Sequence, residues 1–162
     1  MKKTLLLLIG IVLILASCEK TPVNEWERFY GFTQADIVGH YEANPDESLY
    51  EELPTEGVVV YSNASMDITA LSETLISLHI VIPEHINRTY SGTIDMTDEN
   101  RTELIFHGFN EDIMMTVYKN SKGQVRFHGR VKHYYYDAEG TLVNSNIYGF
   151  EVIKATPESV SK

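Results

Sequence analysis

Between Gln124 and Tyr136 the side chains alternate in character with a period of two. Val125, Phe127, Gly129, Val131, His133 and Tyr135 fall on one side of an extended chain. Gln124, Arg126, His128, Arg130, Lys132, Tyr134 and Tyr136 fall on the other. Apolar weight on one face only is the mark of a strand with one buried and one wet side, which belongs to an antiparallel sheet or barrel.

The same alternation recurs along the chain. Strands are expected over 36–42, 58–61, an extended piece through Met66, Ile68 and Ala70, 75–82, 88–96, 102–107, 113–119, 124–136 and 142–154. Ile76, Leu78, Ile80 and Ile82 share one face of the 75–82 segment. Turn residues separate the segments, at Asp98-Glu99-Asn100, Asn120 to Gly123 and Asp137 to Gly140. About eight strands in a meander is the number at which a small barrel closes. The expected fold class is therefore all-β, an eight-stranded antiparallel up-and-down barrel with one or two short helices. One helix is expected after Asn44, where Asn caps, Pro45 opens the first turn, and Asp46 and Glu47 face the positive dipole end. Pro54 ends it. Trp26, Phe29, Tyr30 and Phe32 form an aromatic cluster that either closes one end of the core or faces a membrane interface.

The N-terminus constrains location. Lys2 and Lys3, the apolar run Leu5 to Leu15 and the small residues Ala16 and Ser17 read as a secretory signal over residues 1–17. The apolar run is about half the ~20 residues that a spanning helix needs. Leu15-Ala16-Ser17-Cys18 resembles the lipobox of bacterial lipoproteins, which implies cleavage before Cys18, a diacylglycerol on its thiol and acylation of the new amino group. Cys18 is the single cysteine, so it has no internal disulfide partner. Residues 18–24 would be a lipidated tether, 25–156 the β-domain and 157–162 a disordered tail. The resemblance implies a Gram-negative envelope protein, lipid-anchored at the outer membrane, and Glu19-Lys20 carries no acidic export run, which favours the periplasmic face.

Loss of residues 1–17 removes two lysines and leaves 11 basic and 23 acidic side chains, a formal charge of −12. Such a body is repelled by phosphate backbones, so nucleic acid is excluded as a partner. Its partners are expected to be the membrane, through lipid, and either a small ligand or an envelope protein.

Gly39-His40-Tyr41 resembles the opening of the first strand in lipocalin-like (calycin) barrels, where the pair is Gly-x-Trp. Tyr41 departs from that pattern. The resemblance implies a barrel that carries a small ligand inside.

A four-residue loop at Asp137 to Gly140 pairs Val125 with Val152, Phe127 with Phe150, Gly129 with Tyr148 and, outside, Arg126 with Glu151. Such pairs stabilise sheets by ~0.2–1 kcal/mol each. A three-residue loop instead sets Glu151 against Phe127 and buries an acid, unless a bulge at Gly149 confines that register to the turn, with Val143 and Ile147 inward. In the favoured pairing one end of the inner face is oily and the other is polar, lined by Val131, His133, Asn144, Asn146 and Tyr148. These five are the candidate ligand-binding residues, because buried amides and imidazoles need partners. Arg126, Arg130, Lys132 and Tyr134 on the opposite face are a candidate surface for a protein or glycan.

The six histidines lack metal-ligand spacing and have no cysteine partner, so neither metal nor cofactor is expected. No Gly-x-Ser-x-Gly, phosphate loop or nucleophile with a base is present, and a non-enzymatic role is expected. The leading reading is a binder of a small, partly apolar ligand. Its alternative is an interaction module using the outer basic and aromatic face, without an internal ligand.

Overall fold

In a computed structural model the described residues are 26–43, 59–95 and 97–155. The expected signal segment 1–17, Cys18 and its tether 18–24, the helix after Asn44 and the tail 157–162 lie outside them. The described chain forms β1 (Trp26–Arg28), α1 (Gln34–Ile37), β2 (Gly39–Glu42), β3 (Val59–Tyr61), β4 (Ser65–Ala70), β5 (Leu75–Ile82), β6 (Ile86–Thr93), β7 (Glu103–His107), β8 (Glu111–Asn120), β9 (Val125–Tyr136) and β10 (Leu142–Lys154).

All ten strands belong to one sheet. Two meanders, β4-β5-β6 and β7-β8-β9-β10, are joined by β2, which pairs antiparallel with both β4 and β10. β1 and β7 lie one after the other along the outer edge of β8. β3 runs parallel to β10 beside Tyr148 to Phe150, an exception to the expected all-antiparallel pairing.

The expected closed barrel of eight strands is corrected in two respects. The described residues form ten strands, and among them no backbone pairing joins β6 to β7. Side chains meet across that gap instead. The Phe106 ring occupies the space where a Cβ on Gly92 would sit, 2.9 Å away, and the Tyr90 ring packs on Gly108. The sheet is all-β and strongly wrapped about one core, with an open ladder.

The period-two reading of the faces holds. Val125, Phe127, Val131, Phe150 and Val152 are buried, as are Ile76, Leu78, Ile80 and Ile82. The β9–β10 register differs from the expected one by two residues. Val152 lies opposite Phe127, Phe150 opposite Gly129, Tyr148 opposite Val131 and Asn146 opposite His133, while outside Ile153 faces Arg126 and Glu151 faces His128. Two one-residue increments produce the shift. The loop includes Thr141, whose N–H is held by Asp137 Oδ1 at 2.7 Å, and the ladder slips again between Leu142 and Asn144, at Val143 instead of Gly149. A slip of two preserves which side chains point inward. Phe150, not Tyr148, therefore covers Gly129. A Cβ there would come within 2.7 Å of Phe150, 2.8 Å of Met115 and 2.9 Å of the Met114 carbonyl, so only glycine fits.

The N-terminal strand expected from residue 36 starts at Gly39, because the preceding turn is helical. Thr33 and Asp36 form a reciprocal capping box, with the Thr33 N–H donating to Asp36 Oδ2 at 2.8 Å. This turn drops Ile37 into the packed end of the sheet beside Phe32, both buried. Tyr41 is buried against Phe127, ring centroids 5.0 Å apart and edge to face, and its hydroxyl donates to the Ile37 carbonyl at 2.5 Å. Of the aromatic cluster, Phe32 is in the core, Phe29 packs against it, Trp26 lies on β1 and Tyr30 is exposed.

Candidate functional site

The opposite end of the sheet is polar. Alternation along β8 turns Ile113, Met115 and Val117 inward, and one step further toward the turn it brings in Glu111. Glu111 stands directly opposite His133 on β9. Its Oε1 lies 2.7 Å from His133 Nδ1, while Oε2 accepts a hydrogen bond from the Tyr90 hydroxyl on β6. The carboxylate thus ties together strands on both sides of the open seam. It is 8% exposed.

Burial pushes the Glu111 carboxyl up, but the hydrogen bonds from Tyr90 and His133, with the positive field of His133 and Arg88, outweigh it and hold the group below its ordinary 4.5. Burial first, then the bond to this carboxylate, raises the Tyr90 phenol. In the neutral imidazole of His133, an ionised Glu111 fixes the tautomer: Nδ1 carries the proton and donates, and Nε2 keeps a lone pair. Among the described residues Nε2 has no partner.

A second wall comes from β10 and its neighbours. The Asn146 amide donates to the Tyr135 hydroxyl at 3.2 Å and to the Tyr148 hydroxyl at 3.3 Å. The hydrogen bond with Tyr148 raises the Tyr135 phenol. Tyr135 packs on His133 with ring centroids 4.6 Å apart. Tyr61, His85 and Tyr148 form an adjoining stack, 4.6 Å between Tyr61 and His85 and 5.2 Å between His85 and Tyr148.

Two open grooves meet at His133. One, of about 500 Å³, runs between Phe109 and Asn110 on one side and Tyr134 to Tyr136 on the other. The second, of about 430 Å³, follows the seam past Arg88, Tyr90 and Glu111. Both volumes lie in the ~300–1,000 Å³ range of small-molecule sites. Phe109, at the β7–β8 turn, borders both and is fully exposed.

No family model, curated protein or solved structure matches this chain. The site has to be read from its own chemistry. His133 is oriented by a buried acid and presents one ring nitrogen to the grooves, but among the described residues it is hydrogen-bonded to no hydroxyl that it could activate. Among the described residues no group of three or more His, Cys, Asp or Glu side chains converges as a metal site would require. Other histidines pair with carboxylates separately: His40 with Asp67 at 2.7 Å and Glu42 at 3.3 Å, His107 with Asp112 at 2.7 Å and His128 with Glu151 at 3.1 Å.

Of the five residues expected to line a ligand site, His133, Asn146 and Tyr148 are brought together at this end. Asn144 is exposed and its side chain is turned to the Ser145 N–H at 2.8 Å. Val131 is fully buried in the core and lines neither groove. The outer strip divides. Arg126 is 1% exposed and lies beneath the Trp26 ring, 4.2 Å from its centroid, so it belongs to the packed end and not to a surface. Arg130 is exposed beside Met114, Lys132 lies over the Tyr134 ring at 5.1 Å, and the Tyr134 hydroxyl donates to Asp112 at 2.5 Å. The hydrogen bonds from Tyr134 and then His107 hold Asp112 below its ordinary value.

Glu111, Tyr90 and Phe109 did not stand out in the sequence. Glu111 had a usable signal, since carrying the inward alternation of β8 back by two residues reaches it. Tyr90 and Phe109 had none, because their roles depend on how β6 and β7 approach each other.

Proposed function

We propose that the protein is a lipid-anchored, non-catalytic binding protein of the Gram-negative envelope. It takes a small, partly apolar ligand at the open polar end of its sheet. The observation that carries this reading is His133, held by buried Glu111 at the junction of two aromatic-bordered grooves. A buried carboxylate hydrogen-bonded to a histidine under an open groove orients a ring nitrogen at a cost in desolvation, an arrangement that a packing role alone does not require. The lipobox residues ending at Cys18 support the anchor. The strand order, with β2 beside both β4 and β10, supports a distant calycin-like relationship, and the open seam between β6 and β7 favours a ligand at the mouth over one deep inside.

The outer-strip alternative is weaker on two observations. Arg126 is buried, and Tyr134 already pairs with Asp112.

Thermal-shift screening against fatty acids, bile acids, tetrapyrroles and glycans tests the binding role. Stabilisation by one class, lost in His133→Ala, is the expected result, and the absence of any shift overturns it. Replacing Cys18 with Ser should release the protein from the membrane fraction. Its retention there would remove the anchor from the proposal.

A further inference from the structure

The groove between Phe109 and Tyr134 to Tyr136 is lined by Phe109, Asn110, His133, the three tyrosines and Gly140, none of which is an acid, a lysine or an arginine. An uncharged lining on a body of net negative charge disfavours an ionic ligand of either sign, because neither finds a counter-charge within the groove and an anion is repelled at long range. We propose that the ligand held here is a neutral oligosaccharide, with one sugar ring stacked on Phe109 and a hydroxyl donating to His133 Nε2. This inference rests on the binding role proposed above and gives it a ligand class.

The lining chemistry separates a sugar from an alkyl chain. Phe109 is fully exposed and Tyr135 and Tyr136 are more than one-third exposed, so the groove offers aromatic surfaces that remain wet on one side. An alkyl chain laid in so open a groove would stay largely in contact with water and would gain little from burial. It would also cover His133 Nε2 and the Asn110 amide without offering them a partner. A sugar ring carries both characters, a C–H face that packs on an aromatic side chain and a rim of hydroxyls that donate and accept. The fixed tautomer sharpens this match. In the neutral ring, with Nδ1 engaged at 2.7 Å by Glu111, Nε2 is an acceptor and selects a ligand that donates, as a hydroxyl does. Asn110 adds an amide that can both donate and accept.

The full lipidated chain in a zwitterionic detergent would be screened on an array of neutral and acidic oligosaccharides, and hits followed by saturation-transfer NMR. Decanoate and cholate would be titrated in parallel by thermal shift. Binding of a neutral oligosaccharide is expected, with saturation strongest on ring C–H protons. Phe109→Ala should weaken it roughly three- to tenfold, and His133→Ala by about tenfold. Leu71→Ala, at an exposed position of the β4–β5 turn that lines neither groove, should leave it unchanged. Phe109 is fully exposed, so its replacement leaves the fold intact. Binding of acidic sugars alone, or sugar binding indifferent to Phe109→Ala and His133→Ala, overturns the inference. Stabilisation by decanoate or cholate that depends on His133, with no sugar bound, also overturns it while leaving the binding role intact. No response to any probe removes both.

Discussion

The two ends of β9 place the same alternation in opposite surroundings. At the end beginning with Val125, both faces are covered: Phe127 and Val152 fill the inner side with Tyr41, and Arg126 on the outer side lies beneath Trp26. At the end approaching Tyr136 the inner face opens on Glu111, His133 and Tyr135, and Phe109 stands in solvent. Alternation alone does not decide whether a face is dry. What decides it is whether another element arrives to cover it, and α1, β1 and β2 all arrive at one end. The packed end is the scaffold, which leaves the other free to keep polar groups under tension between burial and hydrogen bonding.

The largest test of this contrast is Phe127→Ala. Phe127 is fully buried and its ring meets Tyr41, so removal leaves a cavity among fixed neighbours. A loss of about 3–5 kcal/mol is expected in urea unfolding. A cost of ~1 kcal/mol or less would show that this end is loosely packed, and the contrast would fail. At the mouth, Glu111→Gln should cost less, about 1–2 kcal/mol at neutral pH, since it exchanges charge-assisted hydrogen bonds for neutral ones. Its pH dependence is the sharper reading. The folded Glu111 carboxyl lies below its ordinary 4.5, so its contribution is fully present above that pH and fades as pH falls through the folded value. The gap between the wild-type protein and Glu111→Gln should therefore narrow in acid. A gap that stays constant would mean that the carboxylate is not held ionised by Tyr90 and His133.

The sequence revealed this contrast in part, and the reason is physical. Parity along a strand is local, so the inward sets of β5, β9 and β10 were readable, as was an oily end passing into a polar one. Register was not, because shifts of two leave every face unchanged; the extra loop residue at Thr141 and the slip at Val143 moved the pairing without moving a side chain across the sheet. The burial of Arg126 depends on Trp26, which lies a hundred residues earlier and arrives through β1. Tyr90, Glu111 and His133 come from three strands, two of them on opposite sides of a seam that the expectation of a closed barrel did not contain.

A smaller test addresses how the packed end is covered. Thr33 caps a single helical turn that delivers Ile37 and Tyr41 to the core, and the turn is further tied by Lys154 donating to the Asp36 carbonyl at 2.8 Å. Thr33→Ala should destabilise by ~1 kcal/mol. The loss should appear in amide exchange as faster opening of 34–41, with protection near Glu111 and His133 unchanged. Equal loosening at both ends would mean that the sheet opens as one unit and that its two ends are not separable.

The smallest stability effect is expected where the same truncation is made at the mouth. Phe109→Ala removes the same side chain as Phe127→Ala, but from a site with no neighbour to lose, so the change in unfolding free energy should stay within ~0.5 kcal/mol. Comparison of the two variants in one denaturant series isolates the effect of covering, because the chemistry of the substitution is identical. A loss approaching that of Phe127→Ala would mean that Phe109 packs against something in solution, and the groove that it borders would then be occupied by the protein itself. A near-zero loss leaves an aromatic ring that contributes nothing to folding and stands beside an oriented histidine, where its role lies in what the groove receives.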